Sequence, residues 1–295
     1  MFFNAQPSYR TGVLLVVLAG TFWSLMGIGL RSIEEANVWQ ICFFRSCALI
    51  PFLLLIITVH SFGNPIKVMR NVGIPGIIGG FGLFMAFVAG IYAVQVTTVA
   101  NAMFLFAAAP FFAAFLGWVV LKEKVRAETW ICMFIGFIGI AIMVWQGATL
   151  GHLNGNLSAI LSALGFAVFT IALRWGKLND MMPTVIIGGI ITILASGLIC
   201  FTENFTLIIS LHDIIISMLM GIFQVGTGLV LYTIGSKSVP AAELTLLSMT
   251  EVLLGPLWVW IIFDEIAGFY TILGGLMLLG SIAGNAISGA KITRL

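Results

Sequence analysis

Apolar runs of about twenty residues recur down this chain, and they leave few folds open. A helix rises about 1.5 Å per residue and a hydrocarbon core is about 30 Å thick, so each run has the length needed to cross a bilayer. Ten such runs are legible: Thr11 to Leu30, Val38 to Val59, Val72 to Ala93, Thr98 to Val120, Trp130 to Trp145, Leu157 to Leu173, Met182 to Phe201, Ile214 to Gly235, Val239 to Phe263 and Phe269 to Ser288. Only 8% of the 295 residues are charged and 61% are hydrophobic. Soluble domains carry about 25% charged residues, which excludes that class. The expectation is an all-α integral membrane protein of ten transmembrane helices.

The charges test that count. With the N-terminus in the cytoplasm, Arg10, Lys67, Arg70, Lys122, Lys124, Arg126, Arg174, Lys177, Lys237, Lys291 and Arg294 all fall on the cytoplasmic side. Only Arg31 falls outside, and Arg45 lies within the second run. This bias is the positive-inside pattern, and adding or removing one span would scramble it. Both termini are therefore expected in the cytoplasm. Arg10 followed by an apolar run resembles a signal peptide, but Val13 to Leu30 is long and reads as an uncleaved first span. A net charge of +2 with no basic block gives no sign of nucleic-acid binding. Cys42, Cys47, Cys132 and Cys200 lie in apolar runs without CxxC spacing, as buried free thiols do.

The halves resemble each other. "LAGTFWSLMGIGLR" ends at Arg31 and "LSALGFAVFTIALR" at Arg174, in register at an offset of 143 residues. "VANAMFLFAAAPFFAAFLGWVVLKE" ends at Glu123 and "AAELTLLSMTEVLLGPLWVWIIFDE" at Glu265, at an offset of 142. Two matching offsets point to an internal duplication with units 1–150 and 151–295. Each unit holds five spans, an odd number, so the second is expected upside down relative to the first. Inverted repeats characterise secondary transporters, whose substrate sites lie near the midplane between repeats.

These features together resemble the drug/metabolite transporter superfamily, specifically an EamA-type ten-helix permease. The resemblance rests on the five-plus-five spans, on Phe44–Arg45–Ser46 early in the second helix, on Pro110 in the fourth, and on "LSMTEVLLGPLWVWIIFDE" in the ninth. Two features depart from the family pattern. Glu251 is followed by Val252 where Pro is usual, and Lys122–Glu123 and Asp264–Glu265 replace the closing Gly-Glu. The resemblance implies a permease of the bacterial inner (plasma) membrane, monomeric or homodimeric, that moves small organic metabolites by alternating access. Proton-coupled efflux of amino acids or related solutes is the leading expectation. An uncoupled facilitator or exchanger, or an importer of a vitamin- or nucleotide-like compound, is the alternative.

Glu251 is the first candidate site residue, because an ionisable group at bilayer depth is costly and faces a protein interior or water. It is a candidate to carry a proton or to hold a cationic substrate, and a structural carboxyl is the competing reading. Its counterpart in the first half is Ala109, so it is no symmetric packing device. Arg45 is expected to meet Glu251 or a substrate carboxylate, or else to snorkel outward along its stem. Glu243, two turns before Glu251, reads first as a solvated helix-end carboxylate, and Asn101 is its counterpart. Trp23 and Tyr232 are candidate cavity walls, and Gln224 is the main uncharged polar group at mid-depth in the eighth helix. Trp258 and Trp260 point to opposite sides of their helix, so at most one faces a cavity. Pro110 and Pro256 are expected kink sites, since each lacks an N–H and crowds the preceding turn. The GxxxG pairs Gly76/Gly80 and Gly280/Gly284 read as close helix packing.

Catalysis is not expected. His60, His152 and His212 sit at span ends, and HExxH, GxSxG and Walker A patterns are absent from the sequence. No metal or cofactor is implied. The expected partners are a small-molecule substrate, protons and the lipid bilayer.

Overall fold

The structure, a computed structural model, describes residues 7–61, 69, 72–149, 152–177, 181–239 and 241–293. Ten helices among these residues are long and apolar enough to cross a membrane. They are α1 (Tyr9–Arg31), α2 (Val38–Ser61), α3 (Gly73–Val96), α4 (Val99–Val120), α5 (Ala127–Thr149), α6 (Leu153–Trp175), α7 (Met182–Thr202), α8 (Leu211–Gly235), α9 (Ala241–Phe263) and α10 (Phe269–Thr293). All ten expected spans are present. The fifth and sixth are longer than the apolar runs indicated, because polar residues continue the helix at their ends. Side-chain caps open several helices. Ser8 Oγ accepts from Thr11 N, Thr98 Oγ1 from Asn101 N, and Ser210 Oγ from Asp213 N.

Five helices are irregular or carry an internal proline, each with an identifiable local feature. α4 stops at Phe106 and restarts at Ala109, with Pro110 in the first turn of the new segment. Pro110 has no N–H to give to Phe106 O, so the ladder breaks where the sequence predicts. Pro256 lies inside α9, which stays helical around it, and Pro51 does the same in α2. α1 is interrupted at Leu25, whose N–H bonds back to Phe22 O at 3.2 Å. α8 carries a π-helical stretch from Met220 to Thr227. π-turns widen the helix locally and are frequent at functional sites.

The packing pairs follow a pattern. α3 packs along α6 as α8 packs along α1, α3 meets α7 as α8 meets α2, and α4 meets α6 as α9 meets α1. α2 pairs with α7 and α5 with α10. Exchanging α1–α5 with α6–α10 maps this set onto itself. Two tight crossings rely on glycine. A Cβ on Gly82 would sit 2.7 Å from Gly165 O on α6, and one on Gly235 would sit 2.8 Å from Gly12 O on α1. Close approach of this kind is how helices gain dispersion contacts where the lipid gives no hydrophobic driving force between them. Gly80 packs against Ile187 and Gly188 on α7, whereas Gly280 has open space around it, so only the first GxxxG pair is used within the described residues.

The outer surface is apolar. Ile208, Phe201 and Trp145 are 88%, 83% and 77% exposed. In lipid these faces are solvated by acyl chains. Gly82→Val, which drives a branched side chain into the Gly165 carbonyl, should destabilise the bundle by about 1–3 kcal/mol. A lower thermal midpoint of the purified protein in detergent checks this.

Candidate functional site

One stretch of α1 gathers the interior candidates. α1 lies between α8 and α9. A Cβ on Gly20 would lie 3.2 Å from Thr250 Cβ and 3.4 Å from Glu251 N, so α9 passes here at close range. Three residues on, the Trp23 ring stands 5.3 Å from that of Tyr232, tilted by 40°. The Trp23 indole lies over Gly228, where a side chain would collide with it. Gln224 Nε2 donates to Trp23 O at 3.4 Å, from within the π-helical stretch. Trp258 Nε1 donates to Ser24 Oγ at 3.0 Å, and Ser24 Oγ donates to Thr21 O at 2.7 Å. Trp23, Gln224, Tyr232 and Glu251, scattered over more than 200 residues of sequence, thus meet around little more than one turn of α1.

Glu251 points inward by helix geometry. Residues four and seven apart share a helix face, so Glu251, Gly255 and Trp258 form one stripe. Gly255 on that stripe packs against the Met103 side chain of α4, and Trp258 reaches Ser24 of α1. Leu253, Leu257 and Trp260 lie on the opposite side and are exposed at the exterior. Trp258 therefore faces the interior and Trp260 the exterior, as expected. Among the described residues the Glu251 carboxyl has no hydrogen-bond or ion-pair partner, and it keeps accessible surface. Only 17% of the α9 span is buried, against 33% or more in the other nine, and Leu246 to Glu251 all remain partly accessible.

Arg45 is the second unpaired charge. Its side chain is buried, at 2% exposure, with its guanidinium 4.4 Å from the Phe87 ring centre. That burial rules out snorkelling. The expected pairing with Glu251 is not formed either, because α2 packs on α3, α7 and α8, away from α9. Among the described residues Nε and Nη2 of Arg45 have no hydrogen-bond partner, nor has Gln224 Oε1. Gly221 of the π-helical stretch abuts Arg45 O, which brings α8 close to α2 at this level. α8 therefore presents Gln224 to α1 while touching the backbone of Arg45. Stacking on Phe87 offsets part of the cost of a buried guanidinium, by about 0.5–2 kcal/mol.

Asn101 and Glu243 lie elsewhere, at opposite ends of the bundle. Asn101 is buried at the start of α4, where Nδ2 donates to Asn156 Oδ1 and to Thr97 Oγ1 (3.2 Å). With Thr97, Gln146, His152 and Thr271 it lines a cavity of about 50 Å³, enough for one or two waters. Glu243, read as a solvated helix-end carboxylate, stands in the first turn of α9 and accepts from Tyr9 Oη at 2.6 Å in an exposed hydrogen bond. The end bearing Arg31 is densely bonded. Arg31 reaches Glu265 Oε2 (2.7 Å), Val94 O (2.9 Å) and Thr97 O (2.8 Å). Gln40 Nε2 donates to Thr206 O at 2.6 Å, and Gln95 Nε2 to Ala36 O at 3.2 Å. Asp213 belongs here too, although nothing in the sequence reading singled it out. It is fully buried and accepts from the backbone N–H groups of Glu34, Glu35 and Ala36 at 2.9–3.0 Å, pinning the α1–α2 turn to α8. The Ser210-x-x-Asp213 spacing at a helix start was the available signal.

Residues 10–145 and 153–287 each match the EamA-like transporter family. A human relative, solute carrier family 35 member G1, is 22% identical over 95% of this chain and 80% of its own length. The S-adenosylmethionine uptake transporter of Rickettsia prowazekii (strain Madrid E) is 26% identical over 54% of this chain and 55% of its own. A solved crystal structure superposes with a TM-score of 0.67 at 17% identity, covering 95% of this chain and 98% of that one. At that identity the likeness concerns the fold alone.

Arg45 offers a direct test of the site. A buried guanidinium with two unpaired nitrogens costs stability unless something binds it, so Arg45→Met should hold or raise the thermal midpoint of the substrate-free protein, by ~1 kcal/mol or more, while transport is lost. A midpoint that falls as far as for a core truncation would instead make Arg45 a structural residue.

Proposed function

The chain belongs to the EamA-like transporter family and is a multi-pass membrane transporter of small solutes, and we propose that it is a secondary active permease with its site beside Glu251. Residues 1–150 and 151–295 act as two inverted five-helix repeats that rock around this site, with both termini in the cytoplasm of a bacterial inner membrane. The two family matches in one chain and the self-mapping packing pairs support this reading.

The observation that carries the proposal is the unpartnered carboxyl of Glu251. An acidic side chain midway along a membrane span is retained where it meets a cation, either a proton or a substrate group. Arg45 supplies an unpaired cation in the same interior, and Trp23 with Tyr232 supplies an aromatic wall. A carboxylate, a guanidinium and stacked rings suit a zwitterionic solute of the amino-acid class, with its ammonium or a proton at Glu251 and its carboxylate at Arg45. Efflux driven by proton entry is the preferred direction. The Rickettsia relative's name favours a second reading, import of a zwitterion bearing a nucleoside, for which the aromatic pair would stack the base.

Proteoliposomes tested with labelled amino acids, amines, nucleosides and vitamins, with and without a pH gradient, separate these readings. Wild-type protein should move an amino-acid-like solute in response to the gradient, and Glu251→Gln should fall to the level of empty liposomes. Equal transport by both proteins, indifferent to pH, would remove Glu251 from the mechanism.

A further inference from the structure

Two ion pairs stand at related places. Arg31 at the end of α1 meets Glu265 just beyond α9, at 2.7 Å. Arg174 at the end of α6 meets Glu123 just beyond α4, at 2.6 Å. The offsets that align the two halves, 143 and 142 residues, carry Arg31 onto Arg174 and Glu123 onto Glu265. The backbone repeats as well. Lys122 has φ +55° and Asp264 has φ +53°, so each glutamate follows a non-glycine residue in the left-handed region that glycine usually fills at a helix end. That conformation is unfavourable for a residue that carries a Cβ. Both turns aim a glutamate at the arginine of the neighbouring helix.

The pairs differ in what else they hold. At one end, Arg31 also donates to Val94 O and Thr97 O, and Glu265 accepts from Val99 N at 2.6 Å. This ties α1 and α9 to α3 and α4. By the 142-residue offset, the corresponding groups at the other end are the carbonyls of Ser236 and Val239 and the N–H of Ala241, at the α8–α9 joint. Among the described residues Arg174 reaches neither carbonyl, and its only hydrogen-bond partner is Glu123. The second pair is accordingly more open to solvent, with side chains 51% and 37% exposed against 26% and 19% for the first.

We infer that Arg31–Glu265 and Arg174–Glu123 are homologous latches that close the two ends of the bundle in alternation. The Arg31 latch is engaged in the present conformation. In the opposite one, Arg174 and Glu123 dock on the α8–α9 joint while Arg31 and Glu265 release α3 and α4. Charge-assisted hydrogen bonds are roughly twice as strong as neutral ones, enough for one such cluster to set which end stays shut. The inference rests on the alternating-access reading above but needs no identified substrate to test.

Spin-label pairs report both ends of the full-length protein in proteoliposomes. Ile266 with Leu153 spans the Arg31 end, and Lys177 with Lys237 spans the Arg174 end. Arg31→Ala should lengthen the first distance and shorten the second, shifting the ratio of the two populations by about tenfold or more. Arg174→Ala should do the reverse. The inference is overturned if Arg31→Ala opens its own end without closing the other, or if neither alanine variant changes either distance. Reciprocal distances together with pH-indifferent transport would leave the latches standing and remove only the role of Glu251.

Discussion

Hydrocarbon offers no hydrogen bonds, and that absence governs this protein. Every backbone amide within the membrane must find its partner inside the chain, so each crossing is a helix, and a helix of apolar residues has nothing to gain from burying them against another. Contact must come from shape. Glycines at Gly12, Gly82, Gly165 and Gly235 let backbones touch where α1 crosses α8 and where α3 crosses α6. The same constraint makes each polar group in the interior conspicuous. Thr192 and Thr233 satisfy their hydroxyls on the carbonyls one turn back, whereas Glu251, Arg45 and Gln224 Oε1 remain unsatisfied among the described residues.

Unsatisfied polar groups are expensive in a low-dielectric interior, and those of Arg45 and Gln224 lie where α8 meets α2 and α1. Helix irregularities cluster nearby. The π-helical stretch of α8 carries Gln224 and abuts Arg45, and the interruption of α1 at Leu25 directly follows Trp23 and Ser24. A regular α-helix would rotate Gln224 and Tyr232 differently relative to Trp23. The site is thus built from departures from ideal helix geometry, with the ends of the bundle supplying the regular polar contacts.

The end contacts are unequal among the described residues. Arg31, Glu265, Asp213, Gln40 and His152 bind loops and helix ends to one another on one side. On the other, the side-chain bonds among the described residues are fewer, and the Arg174–Glu123 pair is the more exposed of the two ion pairs.

Much of this was legible in the residues alone. Run length fixes ten helices, because the rise per residue and the thickness of a bilayer are constants, and the register of "LAGTFWSLMGIGLR" with "LSALGFAVFTIALR" exposes the duplication. Glu251 is conspicuous because charge at such depth is rare, and Pro110 marks a break because it lacks an N–H. The sequence could not indicate that Arg45 would miss Glu251, since helix adjacency rather than depth decides which side chains meet, and α2 lies across α8 from α1. Nor could it locate the π-helical stretch, which depends on the packing of Gly221 against α2, or Asp213's hold on the α1–α2 turn. The amino-acid sequence by itself determined the membrane, the number of crossings and the candidate charges, which follow from local composition. Only the tertiary structure decided which of those charges meet a partner and which stay apart, because that depends on contacts between helices far apart in the chain.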